Sequence, residues 1–316
     1  MVLGWLSRDR DRKEAAAFCG FISPWFVGFL LFSAVPLVVS LVMSMSTFDL
    51  YGLHNFHWVG LVHYRLALED PETREALEDT GIFTAIFVPL GIGVQIGLAL
   101  LVASGTRLRH ALRAAFYLPA VIPTVVSILL IWRIGIAGPD GVFDRIYHLF
   151  SPHGHIDWLD RQGRLILVLF MVWSTAGLGM IVFLAGLRNV SRELREAALI
   201  DGATRRQVLR TITLPLLTPV IFLQLVLGLI AAAQMMIQPI LLGSTFGSAG
   251  SPFFYTPARG ANILPAHVFH VTFVNAWPGT GAAISWILFL IILVVTVVLF
   301  ATSRFWVHYG AGDQAA

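Results

Sequence analysis

Six long apolar stretches, separated by polar segments, dominate the pattern of hydrophobic and polar positions along the chain. A helix needs about 20 consecutive, mostly apolar residues to cross the hydrocarbon core of a membrane. Six stretches reach that length and predict six membrane-spanning helices, at residues 18–45, 82–104, 114–137, 165–187, 214–242 and 280–303. The first stretch follows an Arg-rich start, but it is about twice as long as the apolar part of a signal peptide, so we expect a retained helix.

The basic residues between the stretches predict the orientation of the chain. Cytoplasmic loops carry an excess of Lys and Arg over outer loops. If the N-terminus is inside, fourteen basic residues lie in inside segments and six in outside segments. We therefore expect both termini in the cytoplasm.

This orientation divides the chain into parts with different surroundings. The predicted parts are a cytoplasmic N-terminal segment (1–17), a six-helix transmembrane domain (18–303) with a cytoplasmic loop at 188–213 and outer loops at 46–81, 138–164 and 243–279, and a cytoplasmic tail (304–316). In the first outer loop, Asp70-Pro71 is typical of a helix start. The last outer loop is rich in Gly, Pro and aromatic residues, which predicts an irregular cap.

The composition agrees with a membrane protein. Hydrophobic residues make up 57% of the chain and charged residues 12%, whereas a soluble domain carries about 25% charged residues. We therefore attribute the net charge of +3 to basic residues in the loops beside the membrane, and we expect no nucleic-acid partner.

The single cysteine excludes an internal disulfide and a cysteine-based zinc site, and we expect no metal site. Lys13, the only lysine, is not part of a Gly-rich phosphate-binding loop, so we expect no ATP hydrolysis by this chain.

Ionisable side chains are nearly missing from the six stretches. Apart from Arg133, they contain no Asp, Glu, Lys, Arg or His. Ion-coupled carriers usually keep such groups at membrane depth, and intramembrane hydrolases need a base or a cluster of metal ligands. The pattern disfavours both classes and predicts no catalytic residue. If the chain takes part in pumping, the energy source lies outside the spans.

The polar groups that remain in the stretches are uncharged, and they include Gln95. A lining of this kind suits a neutral, hydroxyl-rich solute. Alternatively, these side chains hydrogen-bond neighbouring helices and contact no solute. Our candidates for a substrate path are Trp173, Gln224, Gln234 and Gln238.

The loop between the fourth and fifth stretches reads "RNVSRELREAALIDGATRRQVLRTITLP" (188–215). Its pattern predicts a short amphipathic helix over 191–200, because Leu and Ala positions recur at helical spacing. Asp201-Gly202 should end this helix in a turn. A second helix should begin at Thr204, whose position three residues before Gln207 forms a capping box, and it should run toward Pro215.

An exposed amphipathic helix could lie on anionic lipid or insert into a groove of a partner protein. Helices that lie on lipid usually present bulky Trp, Phe or Leu side chains. Alanine dominates the apolar face here, which favours docking into a protein groove. A non-transporting scaffold or regulator that binds lipid or a partner through this loop stays an alternative.

The spacing of residues in this loop resembles a known signature. Glu196-Ala197-Ala198, then Gly202, then Ile212 and Leu214-Pro215, is similar to the EAA loop of ABC-importer permeases. Further segments resemble the carbohydrate-uptake (maltose and glycerol-phosphate type) members of that family: "IDGA" (200–203), "ITLP" (212–215), "WVGLVHYRLAL" (58–68), "FYLPAVIP" (116–123), "GAAISWILFLIILVVTVV" (281–298) and "FWVHY" (305–309).

The resemblance implies an all-α integral membrane protein with the six-helix type I ABC importer permease fold, in a bacterial cytoplasmic (inner) membrane and surrounded by membrane lipid. It implies a second homologous permease subunit, two ATPase subunits that hold ATP and Mg, and an extracytoplasmic solute-binding protein that delivers a sugar-like solute. This chain itself would bind no cofactor. Residues 234–257 depart from the subfamily pattern, and the solute could pass mainly along the partner permease.

The resemblance also implies roles for residues of this chain, with coupling to the ATPase through residues 189–215. Glu196 would make a polar contact at the joint with the ATPase, Ala197 and Ala198 would allow close packing, and Gly202 would provide the sharp turn. The implied coupling residues are Arg195, Glu196, Ala197, Ala198, Asp201, Gly202, Ile212, Leu214 and Pro215.

Overall fold

A computed structural model describes residues 17–49, 52–103, 111, 114–117, 131–136, 141–149, 158–243 and 260–308. Helices account for most of these residues: α1 (Ala17–Ser44), α2 (Val62–Glu69), α3 (Pro71–Ala103), α4 (Ile131–Ile136), α5 (Val142–His148), α6 (Trp158–Asn189), α7 (Arg192–Ile200), α8 (Arg205–Leu216), α9 (Thr218–Ala233), α10 (Ile237–Gly243), α11 (Leu264–Val274) and α12 (Pro278–Trp306).

The long helices confirm most of the predicted spans. Helices α1, α3, α6 and α12 are long and apolar enough to cross a membrane, and α8 with α9 passes the same test as one span bent by 63°. The chain is thus a multi-pass membrane protein. Of the predicted third span, 114–117 and 131–136 are helical. Its remaining residues, most of the two predicted terminal segments and residues 244–259 lie outside the described part of the chain.

Helix α3 begins at Pro71, which confirms the helix start predicted at Asp70-Pro71, and it continues without a break into the span predicted from residue 82. Asp70 explains this start. Its Oδ2 accepts hydrogen bonds from the backbone N–H of Thr73 at 2.9 Å and from the Thr73 hydroxyl at 2.7 Å. A side-chain oxygen at this position satisfies a free N–H of the first turn, and a proline is tolerated at the first helical residue.

The prediction of an all-α chain is wrong for residues 46–58, which form a hairpin directly after α1. Strands β1 (Ser46–Asp49) and β2 (Gly52–Trp58) pair antiparallel, with Ser46 opposite Trp58, Asp49 opposite Gly52 and an irregularity between them. Phe56 and Trp58 favour a strand because aromatic side chains fit a half-exposed pleated surface. The two outer loops predicted at 138–164 and 243–279 also contain helices, α5 and α11.

Helices α3 and α6 form the centre of the described fold. Phe83 and Phe87 of α3 stack at 5.3 Å and belong to one buried cluster with Ile166 and Leu167 of α6. In the most apolar part of α1 no residue is buried by the rest of the chain, whereas 56% of the residues in the most apolar part of α6 are buried. Helix α1 packs beside α12 and leaves its other side chains facing outward.

A second buried cluster lies at the other end of α3 and α6 and reaches the bend between α8 and α9. It contains Leu98 of α3, Phe183 of α6 and Leu217, which is 1% exposed. Gly186 lets the chains approach closely here, because a Cβ at this position would lie 2.8 Å from Val220 Cγ2. The bend is therefore anchored on the core.

Candidate functional site

The loop at 188–213 contains the two predicted helices, α7 and α8. Ser191 Oγ accepts the backbone N–H of Leu194 at 3.3 Å and caps the start of α7. Gly202 ends the helix with φ of 88°. The N–H of Ala203 donates to Ala198 O at 3.0 Å and that of Gly202 to Leu199 O at 3.2 Å, which is the Schellman arrangement that closes a helix on a glycine.

The start of α8 carries the predicted capping box. Thr204 Oγ1 accepts the N–H of Gln207 at 3.3 Å, and Gln207 Oε1 accepts the N–H of Thr204 at 2.8 Å. These bonds satisfy two free N–H donors at the start of α8. The turn between α7 and α8 is thus held by hydrogen bonds at both of its ends.

Helix α7 presents an apolar surface that the described chain does not cover. No residue of α7 is buried, and Leu194, Leu199 and Ile200 are exposed by 47%, 44% and 86%. Arg192 Nε contacts Glu196 Oε1 at 2.6 Å on the polar side, and this hydrogen bond raises the pKa of Arg192. The exposed face thus presents Leu and Ile as well as the alanine expected from the sequence, and a helix of this kind is suited to a protein groove or to a lipid surface.

The residues implied to couple the chain to an ATPase occupy α7, the turn and α8. Glu196 and Ala197 are exposed, and Ala198 and Arg195 are half-buried. The Arg195 Nε atom is buried and has no hydrogen-bond partner in the described part of the chain. The others follow in order: Asp201 and Gly202 are exposed at the turn, and Ile212, Leu214 and Pro215 are half-buried in α8.

Helix α8 changes its hydrogen bonding before it reaches the bend. Residues Leu209–Thr213 form π-type turns, and the N–H of Leu214 donates to Leu209 O. Pro215 follows and has no N–H, so the regular bonding pattern cannot continue through it. Wider turns of this kind are frequent at functional sites. The chain then bends at Leu217 into α9.

Three spanning helices meet at a polar contact in the centre of the fold. Gln224 Nε2 of α9 donates to Gln95 Oε1 of α3 at 3.0 Å. Gly179 of α6 makes room for the contact, because a Cβ there would lie 2.0 Å from Gln95 Cδ. We call Gln95 and Gln224 the glutamine pair. It places two uncharged hydrogen-bonding groups among apolar helices.

The four candidates for a substrate path do not come together. Trp173 of α6 belongs to an aromatic group with Trp132 of α4, at 5.8 Å between ring centroids. Gln234 is exposed at the end of α9, and Gln238 is half-buried in α10. Only Gln224 joins a polar partner on another helix among the described residues, and that partner is Gln95.

An ion pair between a half-buried arginine and a buried aspartate lies on the predicted outer side, and the sequence did not predict it. Arg164 of α6 binds the Asp79 carboxylate of α3, and its Nε donates to Gly260 O at 3.1 Å. The other Asp79 oxygen accepts the N–H of Asn262 at 3.2 Å. The pair ties two spans to the segment before α11. No local pattern marks it, since both residues fall in predicted loops.

A cavity of about 720 Å³ lies nearby, between α2, α3 and the turn before α12. His267 lines it and is 2% exposed, with Nε2 at 3.0 Å from Thr73 Oγ1. Burial lowers the pKa of His267, and the nearby carboxylates of Asp70 and Glu72 only partly oppose this effect. For Asp70, burial acts to raise the pKa, but hydrogen bonds from Thr73 and Glu72 outweigh it and lower the pKa.

The chain is similar to known transport proteins over most of its length. Residues 93–307 match the family described as binding-protein-dependent transport system inner membrane component. The chain is 31% identical to the probable ABC transporter permease protein YesP of Bacillus subtilis, over 96% of this chain and 95% of that protein. It is 30% identical to the arabinooligosaccharides transport system permease protein AraP of Bacillus subtilis, over 93% of this chain and 90% of that protein.

The fold also resembles a solved structure. A chain of a bacterial ABC transporter involved in the import of the acidic polysaccharide alginate superposes with a TM-score of 0.77 at 23% identity, over 93% of this chain and 97% of that one. This likeness shows the fold of an ABC importer permease.

Proposed function

The chain belongs to the family of binding-protein-dependent transport system inner membrane components, and we propose that it forms half of the import path for a sugar or sugar-like solute. It is a permease subunit of an ABC importer and not an enzyme, since ATP hydrolysis in this family is performed by a separate subunit. The observation that carries the coupling role is α7, an exposed helix with an uncovered apolar face and fixed ends.

Two observations favour a neutral, hydroxyl-rich solute. The glutamine pair supplies hydrogen-bonding groups without charge at the meeting point of three helices. The relative AraP is named for arabinooligosaccharides. Uncharged groups at membrane depth can exchange hydrogen bonds with sugar hydroxyls without the cost of burying a charge.

In the proposed topology, six helices span a bacterial inner membrane, and both termini lie in the cytoplasm. Five described spans and the predicted span at 114–137 make up this number. The excess of basic residues in the segments assigned to the inside supports the orientation. It places α7 and the first part of α8, up to residue 213, on the cytoplasmic side, where ATP is present.

The proposed mechanism begins with α7 in a groove of the ATPase. Leu194 and Leu199 provide the apolar contact, and Glu196 a polar one. When ATP binding closes two ATPase subunits, α7 moves, and the turn at Gly202 passes the movement to α8. The bend at Leu217 then shifts α9 and with it Gln224. A second, homologous permease forms the other half of the path, and a solute-binding protein delivers the solute from outside.

Purification of the chain from its native membrane, through a tag on this chain, tests the proposal. We expect a second permease and an ATPase with a phosphate-binding loop to co-purify. Reconstituted in liposomes with ATP and the solute-binding protein, the complex should take up a neutral oligosaccharide from a panel that also contains charged sugars. Recovery of the chain without any ATPase would instead support the non-transporting scaffold.

A further inference from the structure

One hydroxyl group, that of Thr218, makes two hydrogen bonds at the bend between α8 and α9. Pro219 has no backbone N–H, so the carbonyl of Pro215, four residues earlier, lacks its usual helical donor. Thr218 replaces it, because its Oγ1 donates to Pro215 O at 2.6 Å. The side chain of Thr218 thus completes the hydrogen bonding that the proline interrupts.

The same oxygen contacts the end of the last helix. Thr218 Oγ1 accepts the backbone N–H of His308, just after α12, at 2.9 Å. A hydroxyl can donate one hydrogen bond and accept others at the same time. Thr218 therefore joins the bend to a segment 90 positions away in the sequence.

Aromatic packing supports the contact on one side. Phe222 of α9 meets the ring of Phe300 at 5.0 Å and the ring of Trp306 at 5.8 Å, both edge to face. Val307 follows and is 8% exposed. The "FWVHY" segment (305–309), which the sequence resemblance singles out without a role, thus supplies Trp306, Val307 and His308 to this junction.

We propose that Thr218 is a positioning residue of the coupling step, which links the bend to the end of α12 so that movement of α7 and α8 reaches α12 as well as α9. The inference rests on the proposed function, because it assumes that α7 receives the movement from an ATPase. It extends that function by assigning the C-terminal end of α12 to the moving unit. Without the link, the bend loses its hydrogen bond to the end of α12, and only the packing of Phe222 against Phe300 and Trp306 still joins α9 to that end.

Two matched pairs of variants test the link from both of its sides. Thr218→Val removes the hydroxyl at nearly constant shape, and Thr218→Ser keeps it. His308→Pro removes the backbone donor, and His308→Ala keeps it. Val307 has φ of −89° and ψ of 118°, a conformation that residues before a proline readily adopt. The proline ring takes the place of the N–H, so His308→Pro removes the donor and also pushes Thr218 Oγ1 away from residue 308.

Two measurements are made on the complex purified through this chain and held in lipid nanodiscs. Amide hydrogen exchange of residues 304–308 should be about fivefold faster in Thr218→Val than in Thr218→Ser, the factor that corresponds to one hydrogen bond. Stimulation of ATP hydrolysis by the solute-binding protein should fall several-fold in Thr218→Val and His308→Pro. Thr218→Ser and His308→Ala should behave as the wild type.

The outcomes separate this inference from the proposed function. If Thr218→Val is stimulated as fully as the wild type, or if Thr218→Ser fails equally, the positioning role is overturned while the importer stands. Unchanged exchange in Thr218→Val overturns the link itself. A wild-type complex that neither hydrolyses ATP nor imports sugar contradicts the proposed function, and with it this role.

Discussion

Gln224 donates a 3.0 Å hydrogen bond to Gln95, across two spanning helices that are 129 positions apart in the sequence. Gln95 is 8% exposed, and Gly179 of a third helix lies against its amide. In an apolar setting, each of these amides would be costly to leave unpaired. The pair is therefore both a structural contact and the strongest candidate for a solute contact, and the two roles can be separated by experiment.

Removal of one glutamine should destabilise the protein, and removal of both should restore stability. Gln224→Leu leaves Gln95 Oε1 buried without its donor, at a cost of about 1–3 kcal/mol. The double variant Gln95→Leu/Gln224→Leu buries no unpaired amide, so its thermal midpoint in detergent should return close to that of the wild type. Sugar uptake then decides the role. A raised KM in the stable double variant supports a path, and normal uptake assigns the pair to helix packing.

Gly179 should not tolerate a side chain. The Cβ of Gly179→Ala would lie 2.0 Å from Gln95 Cδ, so the glutamine must move and break its bond to Gln224. We expect a loss of about 1–3 kcal/mol in the free energy of unfolding. Gly97→Ala in α3 is the matched control, because a Cβ there meets nothing within 4 Å. Equal thermal midpoints for the two variants would be inconsistent with close packing at Gly179.

Gly202 should matter through its backbone conformation. Its φ is 88°, and a Cβ would meet open space, so a substitution strains the turn without a clash. Gly202→Val should cost roughly 1–2 kcal/mol in this conformation and lower sugar import about tenfold, while ATP hydrolysis persists. Gly202→Asn is the control, because Asn is tolerated at positive φ. If both variants import equally well, the turn has no part in coupling.

Acid should loosen the contact between α3 and α11 through His267. Burial lowers the pKa of His267 below its ordinary value of 6.5. Below that pH the unfolded chain binds a proton that the folded chain resists, so stability is present above it and is lost as the pH falls. Amide exchange of residues 264–274 should therefore rise on going from about pH 7.5 to pH 5 in the wild type.

The His267→Gln variant provides the control for the acid effect, because an amide can still contact Thr73 without titrating. In this variant the amide exchange of residues 264–274 should depend less on pH than in the wild type, after both are corrected for the pH dependence of exchange in unprotected amides. The lowered pKa of Asp70, whose ordinary value is 3.8, places its own effect at more acid pH. An equal pH response in the two proteins would show that another group titrates at this contact.

Much of the architecture follows from residues close to one another in the sequence. The length of the apolar runs predicts the spans, Asp70 and Thr73 start α3, and Thr204 and Gln207 cap α8. Gly202 ends α7 because only a residue that tolerates positive φ suits that turn. The motif around Glu196 likewise identifies the family, because all of its residues lie close together in the sequence.

The tertiary structure alone decided which distant groups meet. The partners of Gln224, Arg164 and Thr218 lie 129, 85 and 90 positions away. No local pattern selects among the available polar groups at such separations. Each contact depends on how the helices pack, and small residues such as Gly179 allow that approach. The sequence by itself therefore determined the spans, the loop and the family, whereas packing determined the glutamine pair, the outer ion pair and the junction at Thr218.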